Sequence, residues 1–233
     1  MSIKRKSAPQ ENTSSVEYSN LEAGEFEARL IHVVDLGMHN NLYMSEIKKP
    51  VQKLAMCFEI LDNPVTIDGE EVPRTIWAAP FNVYYSLTAK GKEMQYYSLF
   101  NPQAKEGDIA DWDSALGKPV SVTIENKPSS DGQATYDNIT NIVAIPKKYQ
   151  KGISEAKTTD TGTGDDSDMN TSTMKALRGL AKYVFEKRID GGTGVCAWAA
   201  EQERLAEEAK KSSKKPVATL ADKLEIDEDL VPF

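Results

Sequence analysis

Aromatic and cationic side chains alternate along residues 43–96. The members of this set, each a ring or a positive charge, are Tyr43, Lys48, Lys49, Lys53, Arg74, Trp77, Phe81, Tyr84, Tyr85, Lys90, Lys92 and Tyr96. Unpaired nucleobases stack on aromatic rings, and Lys and Arg neutralise phosphates, so together these residues have the chemistry to bind a single nucleic-acid strand. In a strand, Trp77, Phe81 and Tyr85 share one face and Tyr84 takes the other, so both sets cannot belong to the core. The sequence does not decide which rings are exposed; core packing and ordinary surface charge are the alternatives.

The last seven residues combine consecutive carboxylates with a terminal aromatic ring. They are Asp227, Glu228, Asp229, Leu230, Val231, Pro232 and Phe233. A partner protein could bury the ring of Phe233 and pair with the carboxylates, which is a recognised mode of C-terminal peptide binding. An acidic end also competes with nucleic acid for a basic groove. The alternative is a tail that only improves solubility, but solubility gives no reason to finish on an exposed ring.

Side chains that could support catalysis are few. The chain has two histidines, His32 and His39, and two cysteines without metal-ligand spacing. Two groups of aspartates come into question as cation ligands, namely Asp165, Asp166 and Asp168, and Asp108, Asp111 and Asp113. The first group lacks the spacing of an EF-hand, and the second suits the start of a short helix. We therefore expect no catalytic residue, no metal, no cofactor and no enzymatic activity.

The composition indicates one compact core with polar appendages. Of the 233 residues, 39% are hydrophobic, and the mean hydropathy is −0.50. No apolar run approaches the ~18 residues of a membrane helix, and no secretory signal is visible, so we expect a soluble cytoplasmic protein without a membrane partner. The net charge of −8 argues against indiscriminate nucleic-acid binding. Residues 222–233 carry five Asp and Glu and one Lys, which is half of that charge.

Changes in composition divide the chain into five segments. Residues 1–20 are polar and without period, which predicts a flexible arm, whereas residues 21–150 are rich in Val, Ile, Tyr, Phe and Thr. Residues 151–168 have the Thr-, Gly- and Asp-rich composition of a disordered linker. Residues 169–212 are predicted to be helical, and residues 213–233 are predicted to form a disordered acidic tail.

The segment 21–150 contains five predicted strands. Their bounds are Glu25–Asp35, Val51–Leu61, Arg74–Tyr85, Lys118–Asn126 and Tyr136–Ile145, with a short helix near Asp111–Leu116. A hairpin turn with Asp131–Gly132 joins the last two strands. Together with the long connection after the third strand, this order fits a five-stranded OB-fold barrel, so the predicted class is mainly β. A small β-sandwich is the alternative.

The segment 169–212 has helical periodicity, and Asn170, Thr171 and Ser172 are candidate N-caps. The apolar side chains that recur at three- and four-residue steps are Met174, Leu177, Leu180, Ala181, Val184 and Phe185. This stripe predicts packing on the barrel or on another subunit, which leaves a homo-oligomer open. A basic helix that follows phosphates is the alternative for the same segment.

The β-rich segment and the tail together resemble the single-stranded DNA-binding proteins of bacteria and phages, which pair an OB-fold with an acidic tip ending in Pro-Phe. The stretches similar to the phage-encoded type are GEFEARLIHVVDLG, LAMCFEI, GKPVSVTIENK and YDNITNIVAIP. The tip departs from the bacterial pattern in having two aliphatic residues, Leu230 and Val231, where one is usual. The helical segment has no counterpart in that pattern.

The resemblance implies sequence-independent binding of single-stranded DNA through the OB-fold, in phage DNA replication, recombination and repair. It also implies that the tip, Asp227–Phe233, recruits replication or recombination proteins. In an OB-fold, the second and third strands and the loops joining strands 1–2 and 4–5 form the usual ligand face. An OB-fold adaptor that binds protein is the alternative, since residues 1–150 carry 15 Lys and Arg against 20 Asp and Glu. A nuclease is a third hypothesis, which magnesium-dependent loss of substrate would distinguish.

Overall fold

The computed structural model describes residues 19–129 and 132–213, and it describes side chains up to residue 209. Most of the predicted arm and tail, including Asp227–Phe233, and Asp131 of the predicted turn lie outside the described residues. The described chain forms two compact units. The first contains residues 19–39 and Val51–Gly194, and the second contains Asn40–Pro50 and residues 195–213.

The protein is mainly β, as the sequence predicts. The strands are β1 (Gly24–Tyr43), β2 (Glu46–Ile67), β3 (Glu70–Trp77), β4 (Phe81–Val83), β5 (Pro119–Pro128), β6 (Thr135–Ala144) and β7 (Gly162–Gly164). The helices are α1 (Lys92–Phe100), α2 (Lys147–Gln150), α3 (Ser172–Lys175), α4 (Gly179–Glu186) and α5 (Ala197–Ser213), with one 3-10 turn at Asp113–Ala115. That turn confirms the short helix predicted near Asp111–Leu116.

The strands form an open seven-stranded sheet with the order β3-β2-β1-β5-β6, in which β4 pairs with β2 and β7 pairs with β1. Each of the five predicted segments contains strand, but the number and the lengths of the strands differ from the prediction. The predicted strand Arg74–Tyr85 is divided into β3 and β4, because Pro80 has no amide hydrogen to continue the ladder. The residues between the predicted strands Glu25–Asp35 and Val51–Leu61 are also mostly strand, since β1 and β2 run on to a hairpin end at Met44 and Ser45.

Both faces of the sheet are covered, and the side chains of β2 contribute to the core on each face. Its residues alternate between faces: Leu54, Met56, Phe58 and Ile60 join the larger core cluster, while Ala55 joins a smaller one. The larger cluster lies between the sheet and the segment from α1 to Trp112. The smaller cluster joins Val34, Leu36 and Ala55 to residues of α3 and α4.

The predicted cap and most of the predicted apolar stripe of the helical segment are confirmed. Thr171 caps α3, because its Oγ1 accepts a hydrogen bond from the amide of Met174 at 3.2 Å. The buried members of the stripe are Met174, Leu177, Ala181 and Phe185. The prediction is wrong for Leu180, which is 57% exposed.

The prediction of a disordered linker at residues 151–168 differs from the structure, in which this segment packs against the sheet. The carboxylate of buried Glu59 accepts hydrogen bonds from the amides of Lys157 and Thr158 at 2.7 and 2.8 Å. Further on, β7 pairs in parallel with β1, and a Cβ on Gly164 would lie 3.1 Å from Thr173 and Met174. The Thr- and Gly-rich composition predicted disorder, but distant partners satisfy its backbone and glycine allows the close approach.

Within the described ranges, no helix combines the length and the apolar character that crossing a membrane requires.

Candidate nucleic-acid interface

The segment from β4 to α1 exposes rings and positive charges together. Tyr84 is 51% exposed and Tyr85 is 91% exposed. Lys90 and Lys92 are exposed as well, and Tyr96 is partly exposed. We call Tyr84, Tyr85, Lys90, Lys92 and Tyr96 the aromatic–basic surface. All five were predicted as contacts, and all lie in the first unit.

Phe81 connects this surface to the core of the protein. It lies opposite Leu54 in the β2–β4 pair and is buried in the larger core cluster. Its ring meets that of Tyr96 edge-on, with 5.0 Å between centroids. Lys92 in turn places its Nζ 3.3 Å from the Tyr96 hydroxyl and 5.0 Å from the ring centre. Tyr96 is therefore held by the core on one side and by a cation on the other.

Glu93 ties Tyr84 to the start of α1. This side chain is buried, and its carboxylate accepts hydrogen bonds from Trp112 Nε1 at 3.4 Å and from the backbone of Tyr84. Burial raises the pKa of Glu93, and these two hydrogen bonds oppose that rise. Because the tie uses the backbone of Tyr84, its ring stays free for a ligand.

Lys53 is partly exposed and lies opposite Asn82 in the β2–β4 pair. Neighbouring residues of a strand point to opposite faces. Lys53 therefore extends from the face opposite to that of Leu54 and Phe81, which face the larger core.

The structure does not place Arg74 and Phe81 at the surface, although both were predicted as contacts. Arg74 is 4% exposed and Phe81 is 5% exposed. The guanidinium of Arg74 donates to the carbonyls of Asn63 and Ser19 and lies 3.4 Å from Asp137. A cation that is buried and already paired cannot reach a phosphate, so Arg74 has a structural role.

The side chain of Trp77 also makes most of its contacts within the protein. Its Nε1 donates to the carbonyl of Ala176 at 3.2 Å, and its ring lies parallel to that of His32 at 6.3 Å. Residues of α3 and α4 pack beside it in the smaller core cluster. The prediction of Trp77 as a base-stacking ring therefore does not agree with its surroundings.

In the second unit, the remaining predicted contacts lie on the hairpin end Asn40–Pro50. Tyr43 is 59% exposed, and Lys48 and Lys49 are also exposed. The turn is made by Met44 and Ser45, both with positive φ, at 49° and 66°. Such a turn fits the twist of a two-residue hairpin. Lys48 is paired with Glu46, which leaves Lys49 as the freer cation of the two.

Sequence reasoning missed three exposed tyrosines of the described chain, one of which is Tyr149 of α2, 60% exposed. Tyr136 is 59% exposed and lies opposite Lys127 in the β5–β6 pair, and Tyr183 of α4 is 58% exposed. The helical periodicity could have predicted that Tyr183 is exposed, because this residue lies opposite the apolar stripe on a helical projection. For Tyr136, the alternation of β6 gives the face but not its exposure.

Three cavities of the described chain, of about 570, 320 and 130 Å³, contain none of the predicted contacts. In residues 19–129 and 132–213, no group of three or more His, Cys, Asp and Glu side chains is placed to hold a metal ion. The candidate interface is therefore an open surface, which suits a polymer better than a small molecule.

Buried His32 predicts a stability that depends on pH. Its Nδ1 lies 3.2 Å from Thr173 Oγ1, and burial lowers its pKa although Asp160 and the backbone of Gly162 oppose this. Between the lowered pKa and the ordinary value of about 6.5, the unfolded chain binds more protons than the folded chain, so stability falls as the pH drops below about 6.5. We expect urea unfolding to give a lower free energy at pH ~5.5 than at pH ~7.5.

The variant His32→Gln tests this assignment, because it removes the titrating group and should flatten the dependence. His39, whose pKa burial also lowers, keeps part of it. An unchanged pH dependence in His32→Gln would show that His32 does not contribute.

No protein-family model matches the chain, and no curated protein matches its sequence.

Proposed function

We propose that this chain binds single-stranded DNA without sequence preference. The observation that carries the proposal is the aromatic–basic surface, where Tyr84 and Tyr85 are exposed on the same short segment as Lys90 and Lys92. Rings of this kind can stack only on bases that are not already stacked in a duplex, and stacking is tolerant of base identity. The exposed lysines neutralise backbone phosphates, which are present in every sequence. The hairpin end Asn40–Pro50 offers a further ring and cation of the same type.

The fold that we propose is an OB-fold. The sheet order β3-β2-β1-β5-β6 supports it, because a five-stranded barrel closes when the two end strands of such a path meet. The ion pair between Arg74 of β3 and Asp137 of β6 links those two strands. The helix α1 also lies between the third and fourth of the predicted strands, in the long connection.

The biological setting is part of the same proposal. A protein that coats single strands serves phage DNA replication, recombination and repair in the cytoplasm of the host cell. The acidic tip Asp227–Phe233 would recruit other proteins of these processes. The chemistry that supports this role is an aromatic ring close to consecutive carboxylates.

A protein-binding adaptor is the second candidate, because residues 1–150 have an excess of five acidic side chains. An acidic surface weakens nucleic-acid binding and does not weaken protein binding. The two candidates therefore differ in their behaviour towards oligonucleotides at low salt.

Titration of a fluorescent oligo-dT of about 30 nucleotides with the full chain tests the proposal. We expect tight binding at about 50 mM salt and markedly weaker binding at about 200 mM, because each neutralised phosphate releases counterions. Duplex DNA of the same length is the control and should bind much more weakly. Equal binding to duplex would contradict the proposal, and no binding at low salt would favour the adaptor.

A further inference from the structure

Helices α3 and α4 cover one face of β1, β2 and β3. Val34 and Leu36 of β1 and Ala55 of β2 are fully buried there, beneath side chains of the two helices. The residues that cover them are Met174, Leu177, Ala181 and Phe185. A nucleic-acid strand therefore cannot lie on this part of the sheet.

The cover is a packed part of the protein. The indole of Trp77 donates to the carbonyl of Ala176, and Thr173 contacts His32. Below α3, Gly162 and Gly164 allow a close approach, since a Cβ on either would lie 3.0–3.1 Å from Thr173. These contacts fix α3 in place, and the burial of Ala181 and Phe185 in the smaller core cluster holds α4 against the sheet.

The outer side of α4 presents an exposed ring and cations, whereas the apolar residues of β1 and β2 that α3 and α4 cover are fully buried. A helix turns by 100° per residue, so Tyr183 lies opposite the buried Ala181 and Phe185. Leu180 and Tyr183 are 57% and 58% exposed. The Nζ of Lys187 lies 5.9 Å from the ring centre of Tyr183. We call Leu180, Tyr183 and Lys187, with Lys175 and Lys182, the α4 surface.

The charge of this part of the chain is opposite to that of the whole. Residues 172–189 carry five Lys and Arg and one Glu, a net charge of +4 in a chain of net charge −8. Arg188 pairs with Asp166 at 3.5 Å. Lys175, Lys182 and Lys187 are exposed, and none of them pairs with a carboxylate in the described ranges of the chain. Three exposed cations on the same segment as an exposed ring complement a polyanion that carries stackable bases.

We propose that the α4 surface binds single-stranded DNA, stacking a base on Tyr183 and pairing phosphates with Lys175, Lys182 and Lys187. It would replace the sheet face that α3 and α4 cover. This inference rests on the proposed function and adds a second contact surface to it, on a segment outside the β strands. An acidic peptide is the competing ligand, and the experiment separates the two.

The test compares two matched double variants of the full chain. Tyr183→Ala with Lys187→Gln removes a ring and its cation from the α4 surface. Tyr149→Ala with Lys148→Gln removes the same chemistry from α2, where Lys148 lies 4.6 Å from the ring centre of an equally exposed tyrosine. We expect the first variant to bind oligo-dT roughly tenfold more weakly and the second to stay within about twofold of the native chain.

Tyr183→Phe with Lys187 intact keeps the stacking ring and should retain native affinity. It therefore separates lost stacking from a change in the helix. Native affinity in Tyr183→Ala with Lys187→Gln would overturn this inference while leaving the proposed function intact. An equal loss in both double variants would also overturn it, because the effect would not belong to α4.

The other outcomes are equally decisive. If the native chain does not bind oligo-dT, both this inference and the proposed function fail. A labelled peptide of residues 222–233 serves as the acidic probe. If the α4 variant loses binding of that peptide and keeps binding of oligo-dT, the α4 surface is a peptide site and the inference is overturned.

Discussion

Replacing Tyr84 and Tyr85 together by alanine is expected to weaken oligo-dT binding by the full chain by about 30-fold or more. Each base stacked on an aromatic ring contributes about 1–3 kcal/mol, so two rings contribute at least ~2 kcal/mol. Both side chains are exposed, at 51% and 91%. Their removal leaves the core intact, and the tie between Glu93 and the backbone of Tyr84 remains. Fluorescence anisotropy at constant salt measures the change.

The matched control is the pair Tyr84→Phe and Tyr85→Phe. It keeps both rings and removes only the hydroxyls, so affinity should stay close to that of the native chain. The unfolding curves of both variants should also match the native curve. If the alanine variant binds as tightly as the native chain, the aromatic–basic surface is not a DNA contact and the central observation of the proposal is lost.

Replacing Asp137 by alanine is expected to lower the free energy of unfolding by about 3–5 kcal/mol, because it removes the carboxylate that is paired with a buried cation. The Arg74 and Asp137 side chains are 4% and 2% exposed, and their charged atoms are 3.4 Å apart. Asp137 also accepts hydrogen bonds from the amide of Leu21 and from Asn126. One substitution therefore removes several contacts of a buried polar network. Urea unfolding at neutral pH measures the loss.

Glu155→Ala is the control for this prediction. Glu155 lies 3.1 Å from Arg29 but is 85% exposed, and exposed ion pairs contribute less than about 1 kcal/mol. Arg29 keeps its hydrogen bonds to the carbonyls of Gly117 and Ser154. If Asp137→Ala costs no more than Glu155→Ala, the link between β3 and β6 is not important for stability. The support that this pair lends to a closed barrel would then disappear.

Features that depend on neighbouring residues could be predicted from the sequence. The alternation of Leu54, Met56 and Phe58 reports a strand with a buried face, because successive side chains of a strand point to opposite sides. The cap at Thr171 follows from a short-range bond between a hydroxyl and an amide three residues away. Tyr84 and Tyr85 were among the predicted contacts for the same local reason, a run of aromatic residues next to lysines, but their exposure was not part of that prediction.

Features that depend on distant residues could not be predicted. Arg74 is a surface cation by composition, and only the approach of Asp137, 63 positions away, makes it a buried one. The segment 151–168 is a linker by composition, but Glu59, nearly 100 positions earlier, accepts hydrogen bonds from two of its amides, and β1 pairs with its strand β7.

Residue types and their spacing were enough to predict that this chain is mainly β, that a helical segment follows the strands, and which side chains are rings and cations. Which of those side chains solvent can reach was settled by the packing of the folded chain. Trp77 and Tyr85 have the same type of chemistry, but the carbonyl of Ala176, 99 positions along the chain, holds the first, and nothing in the described chain covers the second. Residue type is a local property, whereas burial depends on which distant segments pack together.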